Sequence, residues 1–160
     1  MAKKFFESLD KIKTNKTIPN IYLIIDWLFD DKKYETEKWG KNKGTKYTKM
    51  IKKKYFNNKN YVHDSIGKLD LNKTYKSLYI IMSNGNSEYR DLTRHIRNGI
   101  AHSNAELKNK SGEIWFYIED YSKKGEKTSK MSLTYEFLEF IYNTYKELLK
   151  QKYYKKNKRR

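Results

Sequence analysis

The 160-residue sequence contains no cysteine, one proline and seven glycines. The lack of cysteine excludes a disulfide framework, a cysteine nucleophile and a cysteine metal site. The scarcity of proline and glycine favours helices over a turn-rich β fold. Long apolar runs are also missing: the longest, residues 21–29, contains Asp26 and is too short to cross a bilayer. No apolar run or cleavage pattern follows the basic N-terminus, as a secretory signal would require. The sequence predicts a cytoplasmic protein without a membrane association.

Acidic residues are few, since 19 Asp and Glu stand against 36 Lys and Arg, for a formal charge of +17. This charge predicts attraction to a polyanion, of which nucleic acid is the commonest. Lys, Asn, Tyr and Ile are all abundant, so drift in an AT-rich coding sequence accounts for some of the lysines. It does not account for the arginines clustered near His102. The length fits a single domain at residues 1–150. The basic segment 151–160 has no apolar face, and we expect a flexible tail that adds phosphate contacts.

Apolar residues at helical spacing predict most of the chain to be helical. We expect helices near residues 5–12, 19–30, 48–56, 88–102 and 135–149, and another that carries Tyr75, Leu78, Tyr79 and Met82 on one face. Thr134 is placed to cap the last helix. Residues 113–121 and 128–133 are instead predicted to form a β-hairpin, because the first is rich in aromatic and β-branched residues and 123–126 supplies a turn. The sequence thus predicts a mainly all-α protein with a small β-hairpin before the last helix.

Chemically capable groups concentrate on the helix predicted at 88–102. Its apolar residues share one face, and the opposite arc carries Arg97, Ala101, Arg94, Asn98, His102 and His95. Such a face is often simply solvated. Here, however, arginine can bind phosphate oxygens through a planar fork, histidine can move protons near neutral pH, and asparagine can bond a sugar hydroxyl or hold a histidine. Together these groups match the needs of metal-free RNA cleavage by the 2′-hydroxyl.

The stretch Arg97-Asn98-Gly99-Ile100-Ala101-His102 resembles the HEPN superfamily, which is marked by Arg, a polar residue that is often Asn, and a His a few residues later. A motif on a helix end, a short β-rich insertion and a final amphipathic helix also fit that superfamily. The resemblance implies an all-α up-and-down bundle and homodimers in which two motifs meet across a groove. It further implies a metal-independent endoribonuclease in antiviral defence, a toxin–antitoxin system or RNA processing. Other members bind nucleotide or RNA without cutting, and several toxins are neutralised by a partner protein.

By position in this motif, His102 corresponds to the general acid/base, Arg97 to the group that holds the scissile phosphate, and Asn98 to the group that orients the histidine or the ribose. The neighbouring basic residues are predicted to bind RNA: Arg94, His95, Arg90, Lys52 and Lys53. Cleavage needs both a base and an acid, which one histidine cannot easily supply at once. A two-fold dimer supplies two histidines, which is a physical reason for dimerisation independent of the family.

Arg97 and His102 pose a geometric problem, because five residues on an ideal helix separate them by about 140°. Either the helix ends near residues 99–101 and redirects His102, or Arg97 reaches around with its long side chain, or Arg97 contacts phosphate from the partner's side.

The expected function is therefore cleavage of single-stranded RNA by a homodimer, without metal or cofactor. Three scattered histidines and no cysteine form no metal-ligand cluster. RNA is the expected partner, and an antitoxin or other regulatory protein is a further one. Two alternatives stay open: a non-catalytic RNA-binding module of the same fold, and a protein-interaction module whose basic face meets an acidic partner.

Overall fold

Four antiparallel strands form one sheet in the order β1-β4-β3-β2. The computed structural model describes residues 3–12, 18–30, 49–51, 53–55, 78–83 and 88–157. The elements in chain order are α1 (Lys3–Ile12), α2 (Ile18–Phe29), β1 (Tyr79–Met82), α3 (Glu88–Ala101), β2 (Ala105–Lys110), β3 (Glu113–Tyr121), β4 (Lys127–Thr134) and α4 (Tyr135–Asn157). Residues 49–51 and 53–55 are also helical.

The core lies on one face of this sheet. Along β3, Ile114, Phe116 and Ile118 are buried at every second position, as expected for a strand with one face on the core. Phe116 pairs with Leu133 of β4 and Leu107 of β2, so the buried residues of the three strands lie side by side. Residues of all four helices pack in the same cluster, including Phe5, Leu9, Ile21, Leu28, Leu92, Ile96, Phe137 and Ile141.

The expectation of a mainly all-α protein, an up-and-down bundle with only a small hairpin, is wrong. Residues Tyr79–Met82, predicted to be helical, form β1 and pair with β4 from Tyr79↔Ser132 to Met82↔Ser129. All four are buried, and a short, fully apolar run cannot be told from a buried helix by its periodicity. The sequence did not predict β2 because it has too few apolar residues to show an alternating pattern. Only Ala105 and Leu107 of its six residues are buried. The fold is mixed α/β, and the predicted hairpin is one half of its sheet.

Several local predictions are confirmed. The hairpin strands at 113–121 and 128–133 correspond to β3 and β4, and the backbone N–H of Phe137 donates to the Oγ1 of Thr134 at 3.2 Å, which caps α4. The helix predicted at 88–102 is α3, with Leu92, Ile96 and Ile100 buried.

α4 extends through Asn157, so it includes most of the segment that we expected to be a flexible tail. Within the described ranges, no helix is long and apolar enough to cross a membrane.

Gly99 lets α3 approach β3 closely. A Cβ atom at this position would lie 2.3 Å from the Cγ2 of Ile118 and 2.8 Å from the backbone oxygen of Glu119. The side chain of Ile118 could shift, but the strand backbone is held by its pairing with both neighbours. The glycine in the middle of the motif is therefore a packing residue that holds the helix end against the sheet.

We predict that Gly99→Ala destabilises the protein by about 1–3 kcal/mol, the usual cost of forcing an extra carbon into a packed core. Helix propensity alone would favour alanine over glycine by about 1 kcal/mol, so the two effects have opposite signs. Urea or thermal unfolding of the two proteins measures the difference. A variant as stable as the wild type, or more stable, would show that α3 does not lie this close to β3.

Candidate functional site

The C-terminal end of α3 presents the motif. The N–H of Ser103 donates to the oxygen of Ile100 at 3.2 Å, and the N–H of Asn104 donates to the oxygen of Gly99 at 2.8 Å. Ser103 has a φ of 61°, so this pair of bonds is the Schellman ending of a helix. The helix therefore ends near residues 99–101, but His102 keeps its place on the last turn, so the ending does not redirect it.

His102 lies on the last turn of this helix and is exposed. Its backbone N–H donates to the oxygen of Asn98 at 2.9 Å, so the two residues lie one helical turn apart on the same side. Asn98 and His102, which the sequence places on the same arc of the helix, therefore lie on one side of α3 within a single chain.

Arg97 lies toward α2. Its guanidinium carbon is 5.8 Å from the centre of the Phe29 ring at the end of α2, within the range of a cation–π contact. Arg97 is half-buried, whereas His102 is exposed on the helix end. The two predicted catalytic groups therefore differ in exposure, and the contact of Arg97 with Phe29 links the motif to α2.

Behind Asn98 lies a buried polar cluster. Asp120 of β3 is 2% exposed and His95 of α3 is fully buried. The Nδ1 of His95 and the Oδ2 of Asp120 are 2.8 Å apart, and the Nδ2 of Asn98 donates to the same oxygen at 3.2 Å. The Oδ1 of Asp120 accepts the backbone N–H of Tyr121 at 2.9 Å. One carboxylate thus accepts three hydrogen bonds, one of them from the motif.

These bonds decide the charge of Asp120. Burial alone would raise the pKa of its carboxyl group, but the hydrogen bonds from His95 and Asn98, together with the backbone N–H of Tyr121, lower the pKa below its ordinary value. Asp120 is therefore ionised at neutral pH, and it can only accept hydrogen bonds.

Arg94 joins the cluster from the solvent side. Its Nη2 donates to the Oδ1 of Asp91 at 3.2 Å and lies 3.1 Å from the Nε2 of His95. The Nε2 of His95 is also 3.3 Å from the backbone oxygen of Ser83. Asp91 is buried, while the Arg94 side chain is 41% exposed. The buried carboxylate therefore holds the guanidinium group on its protein side, and the solvent side can contact a ligand.

The positions of two members of this cluster, His95 and Asp120, were not predicted from the sequence. His95 was predicted to bind RNA, but a fully buried imidazole cannot contact a strand, and that prediction is wrong. Asp120 was not singled out, although the sequence contains a signal for it. It continues the buried alternation of Ile114, Phe116 and Ile118. A carboxylate on an apolar face of a strand requires a partner.

The family of the chain follows from a comparison over nearly its whole length. The model of the family described as HEPN pEK499 p136 matches residues 3–156. The chain belongs to this HEPN family. The resemblance inferred from residues 97–102 is confirmed, and the match supports a nuclease-related HEPN protein, in a group whose members commonly bind RNA and dimerise. No curated protein and no solved structure gives a significant match.

Of the remaining residues predicted to bind RNA in this HEPN protein, Lys53 has no described contact with the motif. Lys53 is exposed on the helical residues 53–55, where Tyr55 packs against the rings of Phe137 and Phe140 at the start of α4. Arg90 lies in the first turn of α3, on the same helix as the motif. Lys52 lies outside the described residues.

The outer face of the sheet adds basic groups that the sequence did not single out. A cavity of about 390 Å³ begins beside Ser103 and Asn104, directly after His102, and Lys108, Lys110 and Lys130 are among its lining residues. The ammonium groups of Lys108 and Lys110 lie 5.3 and 4.9 Å from the centre of the Tyr117 ring. Lysines beside an aromatic ring suit a single strand of nucleic acid. Among the described residues of the HEPN protein, no group of His, Asp and Glu is arranged to hold a metal ion.

Proposed function

We propose that this HEPN protein is a metal-independent endoribonuclease that cleaves single-stranded RNA at a site formed by two chains, in a defence or toxin–antitoxin system. The observation that carries the proposal is the end of α3, where an exposed His102 follows Asn98 by one turn and the amide of Asn98 is held by Asp120. The basic charge and the family support RNA as the ligand.

The reaction that we propose begins at the ribose. A histidine accepts the proton of the 2′-hydroxyl, and the 2′-oxygen attacks the adjacent phosphorus. The bond from phosphorus to the 5′-oxygen breaks, and an acid donates a proton to that oxygen. The products are a 2′,3′-cyclic phosphate and a 5′-hydroxyl. Arg97 and Arg94 stabilise the charge that develops on the phosphate oxygens, and Asn98 binds the ribose.

A second chain supplies the second proton-transferring group. One exposed histidine cannot be both base and acid within one step, while a two-fold dimer brings two copies of His102 to one substrate. The exposed side of α2 is the surface that we assign to this contact. Leu23 is 52% exposed, Tyr22 is 41% exposed and Phe29 is 37% exposed. Phe29 contacts Arg97, so this surface continues into the motif. The exposed Asp26 also lies on it, between Tyr22 and Leu23 around the helix.

Purified protein incubated with a labelled single-stranded RNA in excess EDTA tests the proposal. We expect cleavage to persist in EDTA and to leave a 2′,3′-cyclic phosphate, because no step uses a metal. A DNA oligonucleotide of the same sequence should be bound but not cut, since it lacks the nucleophile. Binding of RNA without cleavage would instead favour a non-catalytic RNA-binding module. Capture of an acidic protein in the absence of RNA would favour a protein-interaction module.

A further inference from the structure

We propose that Asp120 is a positioning residue of the site. Its carboxylate fixes the orientation of the Asn98 amide and the tautomer of His95. It thereby determines which atoms of the motif donate and which accept hydrogen bonds. This inference rests on the proposed ribonuclease function for its effect on rate. Its structural content is independent of that function. An ionised carboxylate such as that of Asp120 accepts hydrogen bonds and never donates them.

The first consequence concerns Asn98. A carboxamide has a donor end and an acceptor end, and only its NH₂ group can face the Oδ2 of Asp120 at 3.2 Å. The Oδ1 of Asn98 is therefore fixed at the other end of the planar group, as an acceptor. An acceptor can take a hydrogen bond from a ribose 2′-hydroxyl. In the cleavage reaction this is the 2′-hydroxyl of a neighbouring nucleotide, because the attacking hydroxyl gives its proton to the histidine. A strand without the hydroxyl leaves this acceptor unpaired, so the fixed orientation favours RNA over DNA.

The second consequence concerns Arg94. The Nδ1 of His95 must carry the proton that faces Asp120 at 2.8 Å. In the neutral imidazole, the Nε2 is then an acceptor. It can take a hydrogen bond from the Nη2 of Arg94 at 3.1 Å, since arginine only donates, but it makes none with the backbone oxygen of Ser83 at 3.3 Å, which only accepts. The other tautomer would turn an N–H of His95 toward the arginine. Asp120 therefore acts through His95 to hold the guanidinium group, whose other anchor is Asp91 at 3.2 Å.

The variant Asp120→Asn tests the effects on both Asn98 and Arg94. Asp120→Asn keeps the size of the side chain but gives it a donor end, so the amide of Asn98 and the imidazole of His95 can each reverse. We expect kcat for RNA cleavage to fall about ten- to a hundredfold, the range expected from losing a charge-assisted hydrogen bond. We expect KM to change much less, because lysines and arginines elsewhere still bind the phosphates. The ratio of RNA to DNA affinity should fall as well.

Glu119→Gln is the matched control. It is the same carboxylate-to-amide change one residue earlier on β3, where the side chain pairs with Lys127 at 2.7 Å on the outer face of the sheet. It should leave kcat unchanged. In an Asn98→Ala background, the Asp120→Asn effect on kcat should shrink to the part that acts through His95 and Arg94, because the route through Asn98 is already lost. Full additivity of the two substitutions, or a control that loses as much activity as Asp120→Asn, would overturn the proposal.

Nitrogen NMR of the histidine rings separates this inference from the proposed function. We expect the wild-type spectrum at neutral pH to contain one imidazole protonated at Nδ1, assigned to His95 by its loss in His95→Gln. This readout needs no activity and no folded Asp120 variant. A protein that cuts no RNA but has this tautomer would disprove the ribonuclease and leave the role of Asp120 intact. An Nε2-protonated His95 would disprove the role of Asp120 whether or not RNA is cut.

Discussion

We expect His102→Ala to abolish RNA cleavage while the protein stays folded and dimeric. General acid or base catalysis contributes about 10²–10⁴ to a rate, and the substitution removes both copies of the group from a two-fold site, so we expect a loss of at least about 10³. His102 is exposed, and no core packing depends on its side chain. The cleavage rate, the melting temperature and the mass in solution are measured on the same preparation.

Arg97→Ala should have a comparable effect on the rate, because removing one group that stabilises developing charge costs about 10²–10³. Loss of the cation–π contact with the ring of Phe29 should contribute about 0.5–1 kcal/mol to its stability cost. Arg97→Lys is the matched control for charge. It keeps the positive charge but loses the planar fork, and should fall between the wild type and Arg97→Ala. Undiminished cutting by both alanine variants would place the chemistry elsewhere.

Mixed dimers test whether the site is shared. Wild-type and His102→Ala chains are co-expressed in equal amounts and assayed at constant total protein. If both histidines of a dimer are needed, only about one quarter of the dimers stay active; if each chain acts alone, about one half of the activity remains. Activity at one half would mean that one chain carries a complete site.

The part of the site that could be predicted from sequence is the part that depends on local spacing. α3 is amphipathic over its whole length, and the periodic burial of Leu92, Ile96 and Ile100 followed from their spacing alone. The residues of the motif lie within six positions of the chain, so a sequence pattern was enough to single out Arg97, Asn98 and His102.

The rest of the site depends on contacts between distant segments. Asp120 lies 22 residues from Asn98 and 25 from His95 in the chain, and only the packing of α3 on β3 brings them together. Helical periodicity placed His95 at the edge of the polar arc, but Asp120 of β3 and Ser83, directly after β1, lie against its imidazole ring. The sequence predicted β3 but not its packing on α3, so spacing alone predicted an RNA ligand where the structure has a buried histidine.

The same limit applied to α2, which the sequence predicted as a helix near residues 19–30 from the spacing of its apolar residues. The structure divides the apolar residues of this helix between two environments. Ile21, Ile25 and Leu28 are buried, whereas Tyr22, Leu23 and Phe29 keep a large exposed fraction. Sequence periodicity shows which side chains are apolar, but not whether one partner surface is wide enough to cover all of them. The uncovered part is the surface next to Arg97 to which we assign the second chain.

Leu23→Glu should separate the dimer and remove RNA cleavage together. In a two-fold contact the same residue is placed on both chains, so the substitution buries two like charges, each of which costs several kcal/mol to desolvate. We expect the dimer dissociation constant to rise by at least about a hundredfold. The folded monomer should keep its melting temperature within a few degrees, because Leu23 is 52% exposed in the single chain. Light scattering after size exclusion and the RNA assay are measured at the same protein concentration.

Phe6→Glu is the matched control, since Phe6 is an apolar residue of α1 with 41% exposure. It should remain dimeric and active. The formal charge of +17 on each chain opposes association, but at physiological salt charges more than about 8 Å apart are largely screened, so local apolar burial on α2 decides the outcome. A Leu23→Glu protein that stays dimeric would move the interface away from α2. A monomeric variant that cuts RNA at the wild-type rate would show that one chain supplies both the base and the acid, and the two-chain mechanism would then be wrong.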